Sequence, residues 1–193
     1  MGQEQLARTL MPVGEYPKDE IRRMAENAGL LIAAKPDSQD ICFIPKGDYK
    51  SFLKQRLTTT PGEIVDLDGT VVGRHEGIEY FTTGQRRGLG IAEGEPRFVI
   101  RLEPESRRVV IGPEEALMRD EMNVSAVNYP LGFAPQGPVD VTVKIRYKSS
   151  EASAVLHPNG DGAIVRFTRP QRSVTPGQAA VFYQGDVLLG GGT

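Results

Sequence analysis

The 193-residue sequence predicts a mainly β protein, with an N-terminal helical remnant, a small central β module and a C-terminal six-stranded β-barrel. Three observations carry this expectation. Apolar residues at helical spacing are confined to the first 60 positions. From Gly62 onward the apolar residues recur with period two. The 22 glycines and 14 prolines supply the turns that many short strands need, and short strands of this kind favour a small closed barrel. The expected divisions are 1–60, 61–115 and 116–193.

Residues 3–10 are weakly helical, and Met11-Pro12-Val13-Gly14 breaks the pattern. A helix opens at Pro17, a favoured first position, with Asp19 and Glu20 in the turn where the helix dipole welcomes acids. Ile21, Met24, Ala25 and Ala28 form its apolar stripe, and Gly29 stops it. Little of the preceding chain can cover that stripe, so residues 1–36 are expected to pack on a neighbour. A second helix begins with Asp48 as N-cap, with Tyr49, Phe52, Leu53 and Leu57 on one face.

Glu63–Asp66 and Thr70–Gly73 read as a hairpin around Asp68-Gly69. Ile78–Phe81 is expected as a short strand, and Arg97–Leu102 pairs with Arg107–Ile111 across Glu103-Pro104-Glu105-Ser106. Residues 114–118 form a helical connector. Strands are then expected at 123–128, 139–147, 152–157, 162–167 and 179–189, the last interrupted by a turn at Gly185-Asp186.

The formal net charge of −2 excludes a protein that holds polyanions by bulk charge, so any nucleic-acid contact is local. No apolar run approaches the ~20 residues that span a bilayer, and Met1-Gly2-Gln3-Glu4 is unlike a signal peptide. One cysteine excludes an internal disulfide, and a cytoplasmic, reducing setting is the default. His75 and His157 are isolated, so no metal ligand set is seen.

That cysteine, Cys42, lies in Asp37-Ser38-Gln39-Asp40-Ile41-Cys42-Phe43-Ile44. It reads either as a small buried hydrophobe, swallowed by Ile41, Phe43 and Ile44, or as a reactive thiol kept polar by Gln39 and Asp40. Lys35 and Lys46 are near enough in sequence to favour its thiolate.

Two further stretches are candidates. Thr82-Thr83-Gly84-Gln85-Arg86-Arg87-Gly88-Leu89-Gly90 combines glycine-freed amides with adjacent arginines, and Arg86 and Arg87 suit phosphate oxygens. A tight turn with solvated charges is the alternative. In 139–148, Val139, Val141, Val143 and Ile145 alternate with polar residues, so Lys144, Arg146 and Lys148 share one face beside Tyr147. That face is either an RNA-binding edge or a barrel's solvated exterior.

Five stretches taken together resemble the bacterial tRNA-specific 2-thiouridylases: Lys35–Pro45, Pro61–Val65, Phe81–Gly90, Lys144–Tyr147 and Thr175–Tyr183. The resemblance implies an enzyme that replaces the C2 oxygen of the wobble uridine of tRNA with sulfur. It implies ATP as co-substrate, a sulfur-donor protein as partner, and Cys42 as the sulfur-carrying catalytic residue. It also implies tRNA contacts at Arg146, Tyr147 and Gln178, and a last domain like the β-barrel of translation elongation factors. The family's Ser-Gly-Gly-x-Asp-Ser loop, which serves ATP, and its first cysteine, the implied disulfide partner of Cys42, are not among these residues. The chain thus resembles the C-terminal portion of such an enzyme, and these residues alone are expected to be inactive. A non-catalytic tRNA-binding β module is the alternative.

Overall fold

In a computed structural model, residues 1–36, 44, 49–91, 94–146 and 149–193 are described. The chain divides into two compact units, one of Glu4–Leu57 and one of Met1–Gln3 with Thr58–Thr193.

The first unit is helical. It holds most of α1 (Gln3–Ala7), with α2 (Lys18–Asn27) and α3 (Tyr49–Lys54). As expected, α2 follows Pro17, carries Asp19 and Glu20 in its first turn, and ends where Gly29 turns left-handed at φ 72°. None of its residues is buried, and Leu30, Leu31 and Ile32 beyond it are exposed. The Asp48 N-cap lies outside the described residues.

The second unit contains two sheets. The smaller is formed by β1 (Gly62–Val65), β2 (Val71–His75), β3 (Phe98–Glu103) and β4 (Arg108–Gly112), in the order β2-β1-β4-β3. Its hairpins fall where turn chemistry placed them. The Asp66 carboxylate accepts from the backbone amides of Asp68 at 3.0 Å and Thr70 at 2.9 Å, which closes the β1–β2 turn. At the β3–β4 turn, Arg101 donates to Glu103 at 2.9 Å and the Ser106 hydroxyl donates to it at 3.1 Å. These bonds hold the Glu103 carboxyl below its usual range. The parallel pairing of β1 with β4 brings the two hairpins into one sheet. Ile64, Val99, Val109 and Ile111 fill the core beneath it. Ile78–Tyr80 is a 3-10 turn rather than the expected strand. The Tyr80 N–H closes onto the Gly77 carbonyl, and Tyr80 is buried.

The larger sheet is formed by β5 (Met118–Val124), β6 (Val139–Lys144), β7 (Ala152–Asn159), β8 (Gly162–Arg172), β9 (Ala180–Gln184) and β10 (Val187–Gly192). Its order is β10-β9-β6-β7-β8-β5, and all its ladders are antiparallel. Six strands were expected, but a closed barrel is not formed, because no ladder joins β5 to β10. The edges meet only beyond β5, where Ser125 and Thr193 exchange backbone hydrogen bonds and Asn128 bridges Gly191. Between these contacts Ala126 adopts φ 49°, and Val127 donates to Asp161 instead, so the pairing cannot run on. β5 also begins earlier and β8 ends later than the sequence pattern indicates.

The predicted alternation in β6 holds. Val141, Val143 and the following Ile145 face inward, while Lys144 is half-buried and Arg146 exposed. Val143, Leu156, Val165 and Phe182 are fully buried at the centre of this core. Burying each such side chain contributes about 1.5–3 kcal/mol.

Candidate nucleic-acid interface

The candidate residues of the second unit converge on one segment, Arg172–Gln178, which leaves β8 and leads into β9. Each end of the segment is fixed by identifiable bonds. Arg172 ends β8, the longest described strand, and its guanidinium pairs with Glu114 at 2.8 Å and lies 5.1 Å over the Phe98 ring. Phe98 opens β3 and Glu114 follows β4, so this one arginine ties the end of the larger sheet to the smaller one. The Ser173 amide donates to the Leu117 carbonyl at 3.0 Å. Thr175 Oγ1 donates to the Ser173 carbonyl at 2.9 Å, and Gln178 N–H returns to the Thr175 carbonyl at 3.3 Å. The turn expected at Thr175-Pro176-Gly177-Gln178 is therefore present. It leaves the Gln178 side chain on the rim of a cleft of about 470 Å³ that Asn123, Ser125 and Arg119 also line.

Arg146 reaches this segment from the far side. One terminal nitrogen of its guanidinium donates to the Arg172 carbonyl at 2.6 Å. Its backbone is pinned by Ser149, whose hydroxyl meets both the Arg146 amide at 3.2 Å and the Arg146 carbonyl at 2.9 Å. A guanidinium carries five N–H donors. One of these is bound to a carbonyl, and among the described residues no carboxylate pairs with Arg146, which is exposed. Lys144 likewise has no carboxylate partner among the described residues.

The glycine-rich loop approaches from a third direction. Gly84 has φ +86°, and a Cβ there would lie 2.7 Å from Ser173 Oγ, so only glycine lets the loop base sit on Ser173. Gln85 shapes the loop from within. Its side-chain oxygen accepts from the Thr82 amide at 3.0 Å, its side-chain nitrogen donates to the Arg87 carbonyl at 2.9 Å, and its backbone bonds Val99 on β3. Arg86 and Arg87 are exposed, without carboxylate partners among the described residues. Arg86 also lines a cleft of about 390 Å³ with Leu89 and Arg97.

Of the sequence-predicted residues, then, Arg146, Gln178 and the base of the Arg86–Arg87 loop share the Arg172–Gln178 segment. Cys42, Tyr147 and Lys148 lie outside the described residues. Arg172, Ser173 and Gln85 were not singled out from the sequence. Gln85 had a readable signal, an amide inside a glycine turn, but nothing local marks Arg172, whose partners are Phe98 and Glu114. His75 is buried, and its Nε2 lies 3.1 Å from the Arg107 carbonyl, a structural role. Among the described residues no group of three or more His, Cys, Asp or Glu side chains could hold a metal ion. No described helix is long and apolar enough to cross a membrane.

The second unit is thus a two-sheet β scaffold with exposed arginines around the Arg172–Gln178 segment, and comparison with known proteins gives its class. Residues 1–46 match the family model described as a tRNA methyl transferase HUP domain. Residues 50–113 match the tRNA methyl transferase PRC-barrel domain, and residues 119–193 the aminomethyltransferase beta-barrel domain. A tRNA-specific 2-thiouridylase MnmA of Roseiflexus sp. (strain RS-1) is 48% identical over 100% of this chain and 52% of its own length. The protein of the same name from Heliobacterium modesticaldum is 49% identical over 100% of this chain and 51% of its own length. That of Rhodospirillum centenum is 52% identical over 94% and 49%. The chain belongs to the tRNA-specific 2-thiouridylase family, and it spans about half the length of the curated relatives it matches.

Proposed function

We propose that this chain supplies the tRNA grip and the sulfur-carrying cysteine of a tRNA 2-thiouridylase. Its three parts are a segment of the catalytic domain (1–60), a central β module (61–115) and a C-terminal β domain (116–193). The observation that supports the grip most directly is the bond from Arg146 to the Arg172 carbonyl. It fixes an unpaired guanidinium on the segment that also carries Gln178. Arg146, Tyr147 and Gln178 contact the RNA, and Arg86 and Arg87 take phosphate oxygens. Arginine forks suit phosphate geometry, and a rigid support lowers the cost of ordering them on binding.

The chemistry assigned to Cys42 is sulfur relay. Its thiolate attacks a persulfide on a donor protein and takes the outer sulfur, while the donor leaves as a thiolate. A second cysteine, outside these 193 residues, then attacks the Cys42 sulfur. The two cysteines become a disulfide, and the outer sulfur departs with the electron pair as hydrosulfide. Hydrosulfide adds to C2 of the uridine, whose oxygen leaves on the group that activates it. Activation by ATP belongs to the whole enzyme, and no residue of this chain is assigned to it. The Gly84–Gly90 loop does not have the strand-to-helix setting of a nucleotide-phosphate loop, since it lies between a 3-10 turn and β3. The exposed Leu30–Ile32 run is assigned to contact with the remainder of the catalytic domain.

The RNA grip is tested by titrating tRNA onto the purified chain across salt concentrations. Arg146→Ala is expected to weaken binding about fivefold and to flatten the salt dependence by about one counterion. Unchanged affinity would remove Arg146 from the interface.

A further inference from the structure

Beside Arg146 lies a second cation that no part of the reading above uses. Six cationic side chains lie on or just beyond the described strands of the larger sheet: Arg119, Lys144, Arg146, Arg166, Arg169 and Arg172. Most have local roles. Arg166 pairs across the β5–β8 ladder with Glu121 at 3.5 Å, and Arg172 pairs with Glu114 at 2.8 Å. Arg119 donates to the carbonyls of Ala116 and Met118 at 2.9 and 2.8 Å. Lys144 and Arg146 belong to the face already described. Arg169 is exposed, and among the described residues no carboxylate pairs with its guanidinium.

Its position is well defined. β8 runs antiparallel to β7 with Ala154 opposite Phe167, and Arg169 follows two residues beyond that pair. The Arg169 carbonyl accepts from Gln171 Nε2 at 2.9 Å, which holds the backbone around Pro170. The side chain borders a polar cleft of about 470 Å³ lined by Ser150, Glu151, Ser153, Thr168 and Gln171. The one carboxylate there, Glu151, is engaged by Thr142, whose hydroxyl donates to it at 2.9 Å. The Ser149–Ala152 stretch runs from the Arg146 bend to this cleft, and Arg146 itself bonds the carbonyl three residues after Arg169. Hydroxyls, an amide and an exposed guanidinium, three residues before the carbonyl that Arg146 binds, match the oxygens of a sugar–phosphate backbone, while Thr142 holds the Glu151 carboxylate of the cleft.

We infer that the Ser150–Arg169 cleft is a second backbone subsite, in which Arg169 holds a phosphate of the same RNA strand that Arg146 grips. This inference rests on the proposed tRNA grip. The test is tRNA binding to the 193-residue chain and its Arg169→Ala, Arg169→Lys and Arg146→Ala variants between 50 and 200 mM salt, quoted as approximate working limits. Arg169→Ala is expected to weaken binding about fivefold and to lower the salt slope by about one, with Arg169→Lys keeping the slope. Thermal unfolding of Arg169→Ala should match the parent, because the side chain is exposed. If Arg169→Ala leaves affinity and slope unchanged while Arg146→Ala weakens binding, the subsite is refuted and the grip stands. If the parent chain does not bind tRNA at all, both are refuted.

Discussion

Gly62→Ala is expected to unfold the smaller sheet, at a cost of about 3 kcal/mol or more. Gly62 opens β1, the strand that pairs with β2 on one side and with β4 on the other. A methyl group there would overlap the Arg107 carbonyl oxygen and lie 2.8 Å from Cε1 and Nε2 of the His75 ring. Neither neighbour can yield cheaply. Arg107 already holds φ 55° to turn the β3–β4 hairpin, and its carbonyl is the partner of His75 Nε2. The His75 ring is buried and tilted against Phe81 at 5.3 Å. Moving it would disturb the start of the glycine-rich loop, since Phe81 immediately precedes Thr82. Thermal denaturation followed by circular dichroism should show the loss. Gly69→Ala is the useful contrast: nothing lies within 4 Å of its Cβ position, and its penalty is confined to the left-handed φ of 85°. Equal stability of Gly62→Ala and the parent would mean that the β1–β4 pairing is not as described.

The second large effect concerns the cysteine. Incubated with a persulfide-bearing donor protein carrying labelled sulfur, the chain is expected to take up label that dithiothreitol releases, and Cys42→Ala is expected to take up none. As the sequence holds one cysteine, the difference between the two proteins is all-or-none. Alkylation of the native chain followed against pH supplies the independent check. A thiol with carrier chemistry reacts through its thiolate below the ordinary cysteine range near 8.5. A buried, inert thiol reacts only once the protein is denatured.

How far the sequence alone reveals this molecule varies with the range of the interactions involved. The alternation Val141, Val143, Ile145 against Lys144 and Arg146 is a local consequence of strand geometry, and it held in the structure. The Asp66–Thr70 turn was equally legible, because the side chain that closes it lies within the turn. Ile78–Phe81 misled because three apolar or aromatic residues in four suit a strand, whereas the chain there closes a single 3-10 turn. The parallel β1–β4 pair joins segments more than forty residues apart and leaves no local trace. The opening between β5 and β10 depends on which residues meet at the two edges of the sheet, and the positive φ of Ala126 beside those contacts is an unusual conformation for alanine that composition cannot announce. The same division holds at the interface. Arg146 and the Arg86–Arg87 loop announce themselves by charge, while Arg172, whose carbonyl holds Arg146, is visible only once Phe98 and Glu114 are beside it.

That division of labour also explains why charge totals say little here. The chain as a whole is slightly acidic, yet the carboxylates Glu114 and Glu121 are spent on Arg172 and Arg166. Among the described residues, Lys144, Arg146 and Arg169 of the larger sheet and Arg86 and Arg87 of the glycine-rich loop have no carboxylate partner. On the proposed reading, a local surplus of this kind predicts RNA affinity that is modest and strongly salt-dependent.

The central claim is that these residues carry sulfur and hold tRNA but do not activate the base. Its most direct test is a labelled-sulfur assay containing the 193-residue chain, ATP, a persulfide donor and tRNA. The account predicts label on the protein, releasable by dithiothreitol and dependent on Cys42, and no 2-thiouridine in the RNA. Label incorporated into tRNA by this chain without further protein would contradict it.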